Sequence, residues 1–171
     1  MVAVPTFGDS RDEMRHICEQ AEVDSGKNKF KWGKARPERR LEYLRLIFAD
    51  KRFKGCLRYA VFYDTDYDTN TVTAIAKAVL WNVPDEYTSL IYVDGLSKTK
   101  RAEYMRDLRN EWGVQVRQLR GVAKDENEAL VRLADAIAGF VRDILTGSLD
   151  ALGEAQALYE KGTRSGFLVE L

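Results

Sequence analysis

The stretch from Ser89 to Leu119 most narrows what this chain can fold into. SLIYVD (89–94) is a short apolar run that ends in a carboxylate, and VQVRQL (114–119) alternates apolar with polar residues. Between them, Lys98 to Trp112 carries Tyr104, Met105, Leu108 and Trp112 at helical spacing, and Gly113 stops it. This order predicts a buried parallel strand, a covering helix and a half-buried edge strand. The fold class it implies is α/β, a mostly parallel sheet flanked by helices.

The rest of the chain fits that frame. Val2 to Pro5 reads as the end of a strand, and Asp9 or Ser10 can cap a helix to about Val23. Residues 24 to 35 form a Gly/Lys-rich connection. Pro37 suits the first turn of a helix carrying Leu41, Leu44, Ile47 and Phe48. CLRYAVFYD (56–64) is β-rich, and an alanine-rich helix is predicted from about Thr69 to Trp81. A long helix from Asp125 to Leu145 ends at Gly147, and an amphipathic segment follows over roughly Leu149 to Tyr159.

A length of 171 residues suffices for one domain with a real core. No apolar run approaches the roughly 18 residues of a membrane span, and MVAVPTFGDSRDE lacks the features of a secretory signal. Cys18 and Cys56 form no CxxC pair, so a cytoplasmic setting with reduced, buried thiols is expected. Basic and acidic residues balance at 27 each, and this total gives no support for a dedicated nucleic-acid binder. The distribution is uneven. Lys27, Lys29, Lys31, Lys34, Arg36, Arg39 and Arg40 interleave with Phe30 and Trp32, where bases or sugars could stack. Solvated surface charge is the plainer account of most such runs.

Several motifs fail on inspection. Asp64, Asp66, Asp68 and Asn70 open like a calcium loop, but Thr69 and Ile75 stand where Gly and Glu are needed. Aspartates that end a strand and cap a helix explain them better. GLSKT (95–99) lacks the glycines of a triphosphate-binding loop, leaving at most one phosphate held by helix amides and Lys98. His16 is the only histidine and lies on a predicted helix, a poor basis for a serine or cysteine triad or a histidine-rich zinc site.

Carboxylates at the ends of elements remain. Asp94 ends an apolar strand, where open α/β sheets place ligands. In the last long helix, Leu130, Leu133, Ala134, Ile137, Val141 and Ile144 form the apolar stripe, and Asp135 points away from it. Val131, Ala138 and Gly139 surround Asp135, however, and a mid-helix glycine costs about 1 kcal/mol against alanine. A close approach on that second face is therefore expected. Asp125 and Glu128 suit the helix start, as N-cap and capping-box partner. Carboxylates gathered from a strand end and a facing helix suit Mg²⁺, and paired ions of this kind can cleave phosphodiesters without histidine.

IYVDGLSKTKR, RGVAKDENEALVRLADAIAGFVRD and KFKWGKARPERRLEYL together resemble the domain-of-unknown-function family 3800, from about Val2 to Gly147. That resemblance implies a ribonuclease-H-like mixed sheet and a metal-dependent nuclease. Asp94 and Asp135 would be the Mg²⁺ ligands, Asp125 a third catalytic carboxylate, and Lys31, Lys98 and Lys124 the nucleic-acid contacts. It also implies a first, central strand bearing Asp-Glu-Ser, for which Val2 to Pro5 offers no match. The expectation is thus a partial domain over 1–147 with a C-terminal helix and tail over 148–171, able to serve a homodimer. A degenerate, non-catalytic module binding nucleic acid or protein is the alternative.

Overall fold

The computed structural model describes residues 1–63, 65–123, 128–148 and 152–171. The strand–helix–strand unit expected at its centre is present. Strand β3 (Ser89–Asp94) lies parallel to β4 (Val116–Val122), pairing Ile91 with Leu119 and Asp94 with Val122. Helix α4 (Lys98–Asn110) covers the pair and buries Tyr104 and Leu108, one turn apart. Gly113, at φ +68°, turns the chain back toward β4 in a conformation other residues adopt only with strain.

Two strands and three α-helices precede this unit. Strand β1 (Val2–Pro5) leads into α1 (Arg11–Asp24), then a 3-10 turn over Trp32–Lys34 and α2 (Pro37–Ala49), which takes Pro37 in its first turn. Strand β2 (Leu57–Ala60) follows, and α3 (Tyr67–Leu80) starts at Asp66, whose carboxylate accepts from the Thr69 amide at 3.1 Å. Asp66 therefore caps the helix, as expected, while Asp68 lies in its first turn and Asp64 lies outside the described residues. After β4 come α5 (Ala129–Thr146), α6 (Leu152–Arg164) and β5 (Leu168–Glu170). Glu128 occupies the N-cap place of α5, accepting from Leu130 N at 3.4 Å. Gly147 ends α5 at φ +67°, and the Ser148 amide reaches back to Asp143 O at 2.9 Å.

Among the described residues the class is mixed α/β, with six α-helices around little strand. Two of the described pairings are parallel and one antiparallel, and they do not form the single sheet the alternation implied. The described strands form two sheets, β1-β2-β5 and β3-β4. β1 runs antiparallel to β2, and β5 parallel to it. The antiparallel step arises because two helices and a turn separate β1 from β2 and bring the chain back reversed, a route the pattern of apolar residues leaves open. β5 was not foreseen: three residues give too short a run for strand periodicity. The segment after Gly147 is thus no loose tail, since Ala155, Leu158 and Leu168 belong to the main core.

Two hydrophobic clusters result. The larger joins α1, α2, α5 and α6 to β2 and β5 around Trp32, Tyr43, Phe53 and Phe140; the smaller joins α3 and α4 to β3 and β4 around Ile91, Tyr104 and Leu119. Helix α5 packs on β1, β2 and β3, and so spans both sheets. β1 sits on the boundary, with Ala3 against the larger cluster and Val4 against the smaller. Among the described residues, no helix is long and apolar enough to cross a membrane.

Of the two thiols, Cys18 is buried in the larger core as expected, whereas Cys56 is only half-buried. Burial, with Glu22 nearby, pushes the Cys18 thiol from 9.0 up to about 12. An acid whose pKa is higher folded than unfolded loses its contribution as pH rises, because the unfolded thiol ionises first. Stability should therefore fall between about pH 9 and 12, by up to about 1.4 kcal/mol per pH unit from this group. Urea midpoints for wild type and Cys18→Ala across that range test it, and the variant should decline less steeply.

Candidate functional site

The face of α5 opposite its apolar stripe carries Asp135, Gly139 and Asp143 at steps of four residues, one above another. All three receive Trp32. The Trp32 amide donates to Asp135 Oδ2 at 2.8 Å, and its indole N–H donates to Asp143 Oδ2 at 2.7 Å. Between them the ring lies so close to Gly139 that an added Cβ would stand 2.5 Å from Cγ and 2.9 Å from Nε1. This is the close approach that the mid-helix glycine foreshadowed. Phe140 meets the ring edge-on at 6.0 Å, and the Arg40 guanidinium lies over it at 5.4 Å while pairing with Asp143 at 3.7 Å.

A second set of contacts fixes the chain just before Trp32. It leaves α1 through two left-handed residues, Gly26 (φ +66°) and Asn28 (φ +53°), conformations that glycine and asparagine tolerate best. Lys27 is fully buried there. Its ammonium donates to Phe30 O at 2.8 Å, stands 3.7 Å from Glu22 Oε1 and lies 4.9 Å from the Tyr43 ring centroid. Glu22 in turn accepts a forked pair of bonds from Arg132 of α5, at 2.6 and 2.7 Å. Burial lowers the Lys27 pKa, with Glu22 opposing.

These contacts decide what Asp135 does. Its carboxylate serves the Trp32 amide, on the side of α5 that carries the loop. Asp94 is the exposed last residue of β3, beside Gly95 (φ +65°), whose amide donates to Val122 O at 2.9 Å. Ser97 then caps α4, and Lys98 is exposed in its first turn. The Leu96 carbonyl crosses so near Gly121 that a Cβ there would collide with it. Asp125 and Lys124 lie outside the described residues. Among the described residues, no group of three or more Asp, Glu, His or Cys could hold a metal ion. His16 is exposed on α1.

The basic stretch divides in two. Lys27 points inward and Lys31 is half-buried, while Lys29, Lys34, Arg36 and Arg39 are exposed, with Glu38 the single acid between residues 26 and 40. Lys27 is therefore removed from the cations expected to touch phosphate. The exposed ones border two adjoining concavities of about 290 and 620 Å³, and Phe30 and Lys34 line both. Phe30 itself is 52% exposed. Sequence reasoning missed Glu22, Arg132 and Asp143 as the supports of this loop. The four-residue ladder from Asp135 through Gly139 to Asp143, facing a tryptophan-bearing connection, was the signal that could have found one of them.

A different acidic group ties α3 to α4. Asp68 accepts from Tyr104 Oη at 2.7 Å and pairs with Lys100, and Lys100, ahead of Tyr104, holds its carboxyl below the usual range. No protein-family model, no curated protein and no solved structure matches this chain.

Proposed function

We propose that this protein is a nucleic-acid-binding module of ribonuclease-H-like descent, using the loop between α1 and α2 rather than a catalytic carboxylate pair. The observation that carries the reading is the local charge. The chain has no net charge, yet Lys29, Lys34, Arg36 and Arg39 gather around one exposed aromatic ring. Such a patch neutralises phosphates and releases their counterions, so affinity falls with salt. The antiparallel β1-β2 pair and parallel β3-β4 pair, flanked by helices, support the ribonuclease-H-like arrangement. The use of Asp135 as a loop anchor supports the non-catalytic alternative.

Fluorescence anisotropy with labelled oligonucleotides, from low to moderate salt, tests the reading. Binding should weaken on a log–log plot by roughly 0.7–0.9 units of slope per phosphate engaged. The Lys29→Gln/Lys34→Gln/Arg36→Gln variant should lose roughly two to three units of that slope and most of the affinity. Equal binding by the variant would refute the assignment. Mg²⁺-dependent cleavage of the same oligonucleotides by wild type, abolished in Asp94→Asn, would restore the nuclease reading in its place.

A further inference from the structure

Resting on that reading, we infer that Phe30 is a stacking platform for an unpaired base, so that the preferred ligand is single-stranded nucleic acid. An exposed phenylalanine on a loop ordinarily has no fixed place. Here its backbone is gripped on both sides: Lys27 takes the Phe30 carbonyl at 2.8 Å, and two residues on, Asp135 takes the Trp32 amide at 2.8 Å. Arg39 closes the other end of the loop by donating to Gly26 O at 2.9 Å, and Arg40 donates to Ala35 O at 2.7 Å. A buried lysine and a half-buried aspartate thus hold the backbone that carries the exposed ring. A loop whose backbone is held before the ligand arrives loses less conformational freedom on binding than a free one.

The surroundings select the ligand. Phe30 lies in the wall shared by both concavities, with Lys34 beside it, Lys29 on one side and Arg36 and Arg39 on the other. A base stacked on the ring would have phosphates of its own strand to either side, each within reach of a cation. In a duplex the base faces are covered by their neighbours, and the ring would have nothing to meet. A membrane surface would call for a protruding apolar face, whereas this ring stands alone in a cationic hollow.

The test compares a labelled twelve-residue thymidine oligomer, its duplex with the complementary strand, and an abasic oligomer of equal length, against wild type and Phe30→Ala. Wild type should bind the single strand best. Phe30→Ala should weaken that binding roughly 5- to 150-fold, the range of one stacked base, with the salt slope unchanged. Binding to the abasic oligomer should be as weak as this variant's and insensitive to the substitution. Equal single-strand binding by Phe30→Ala and wild type, with the charge variant still defective, would overturn the platform while leaving the polyanion surface standing. Absence of binding to all three probes at low salt would remove both. Preferential binding to phosphatidylserine vesicles would replace the ligand with a membrane.

Discussion

Trp32→Ala is expected to destabilise the protein by about 3–5 kcal/mol, the usual cost of emptying a large aromatic site. Its side chain is 1% exposed and packs on Phe140. The deletion also strips the indole donor from Asp143, which is itself only 6% exposed. Removing a donor from a buried carboxylate adds a desolvation cost that packing alone would not predict. Trp32→Phe weights the second effect over the first, since it keeps an aromatic ring at the site but loses the N–H together with part of the indole's volume. Gly139→Ala approaches the same site from the helix side. On propensity alone it should stabilise α5 by about 1 kcal/mol. The ring in its way should reverse that sign, with a net loss of about 1–3 kcal/mol as the loop is pushed off the helix. Urea unfolding of the three variants measures all of this, and a stabilised Gly139→Ala would mean that the ring does not rest there.

Glu22→Gln should cost about 3–5 kcal/mol, although it changes neither size nor shape. Glu22 is the counterion of both Arg132 and Lys27, and all three are almost completely buried. Neutralising it leaves two cations inside the protein without their shared anion. Lys27→Met should cost less, because it withdraws a charge that burial already disfavours and leaves the Glu22–Arg132 fork intact. The ranking is the informative result. Thermal unfolding that placed Lys27→Met below Glu22→Gln would show that the lysine's grip on Phe30 outweighs the ion pair.

The sequence made the strand–helix–strand unit legible because its period changes cleanly from strand to helix and back at Gly95 and Gly113. It also flagged the second face of α5, since Gly139 costs a helix something that only close packing returns. The occupant of that face stayed hidden. Nothing local in KFKWGK says that Trp32 turns in while Phe30 turns out, or that Lys27 is buried and Lys29 is not. Those choices depend on Glu22 and Asp135, which come from two different helices. The same limit applies to Asp135: its misfit with a solvent face is legible in the sequence, whereas the Trp32 amide that its carboxylate accepts from is not. Strand pairing was the other blind spot, because four-residue strands such as β1 and β2 carry too little pattern to fix direction.

That pairing affects how molecules of this protein behave toward one another. Among the described strands, β1 is hydrogen-bonded only to β2, and β3 only to β4. An unpaired strand edge is where a neighbouring chain can add itself, and so where growth of an aggregate begins. β1 is blunted by its four-residue length and by Pro5, which has no amide proton to offer. β3 and β4 are longer and have no proline, so crowding or partial unfolding would expose their outer edges first. Solubility in this protein then depends less on its balanced surface charge than on how firmly α5 keeps its two sheets covered.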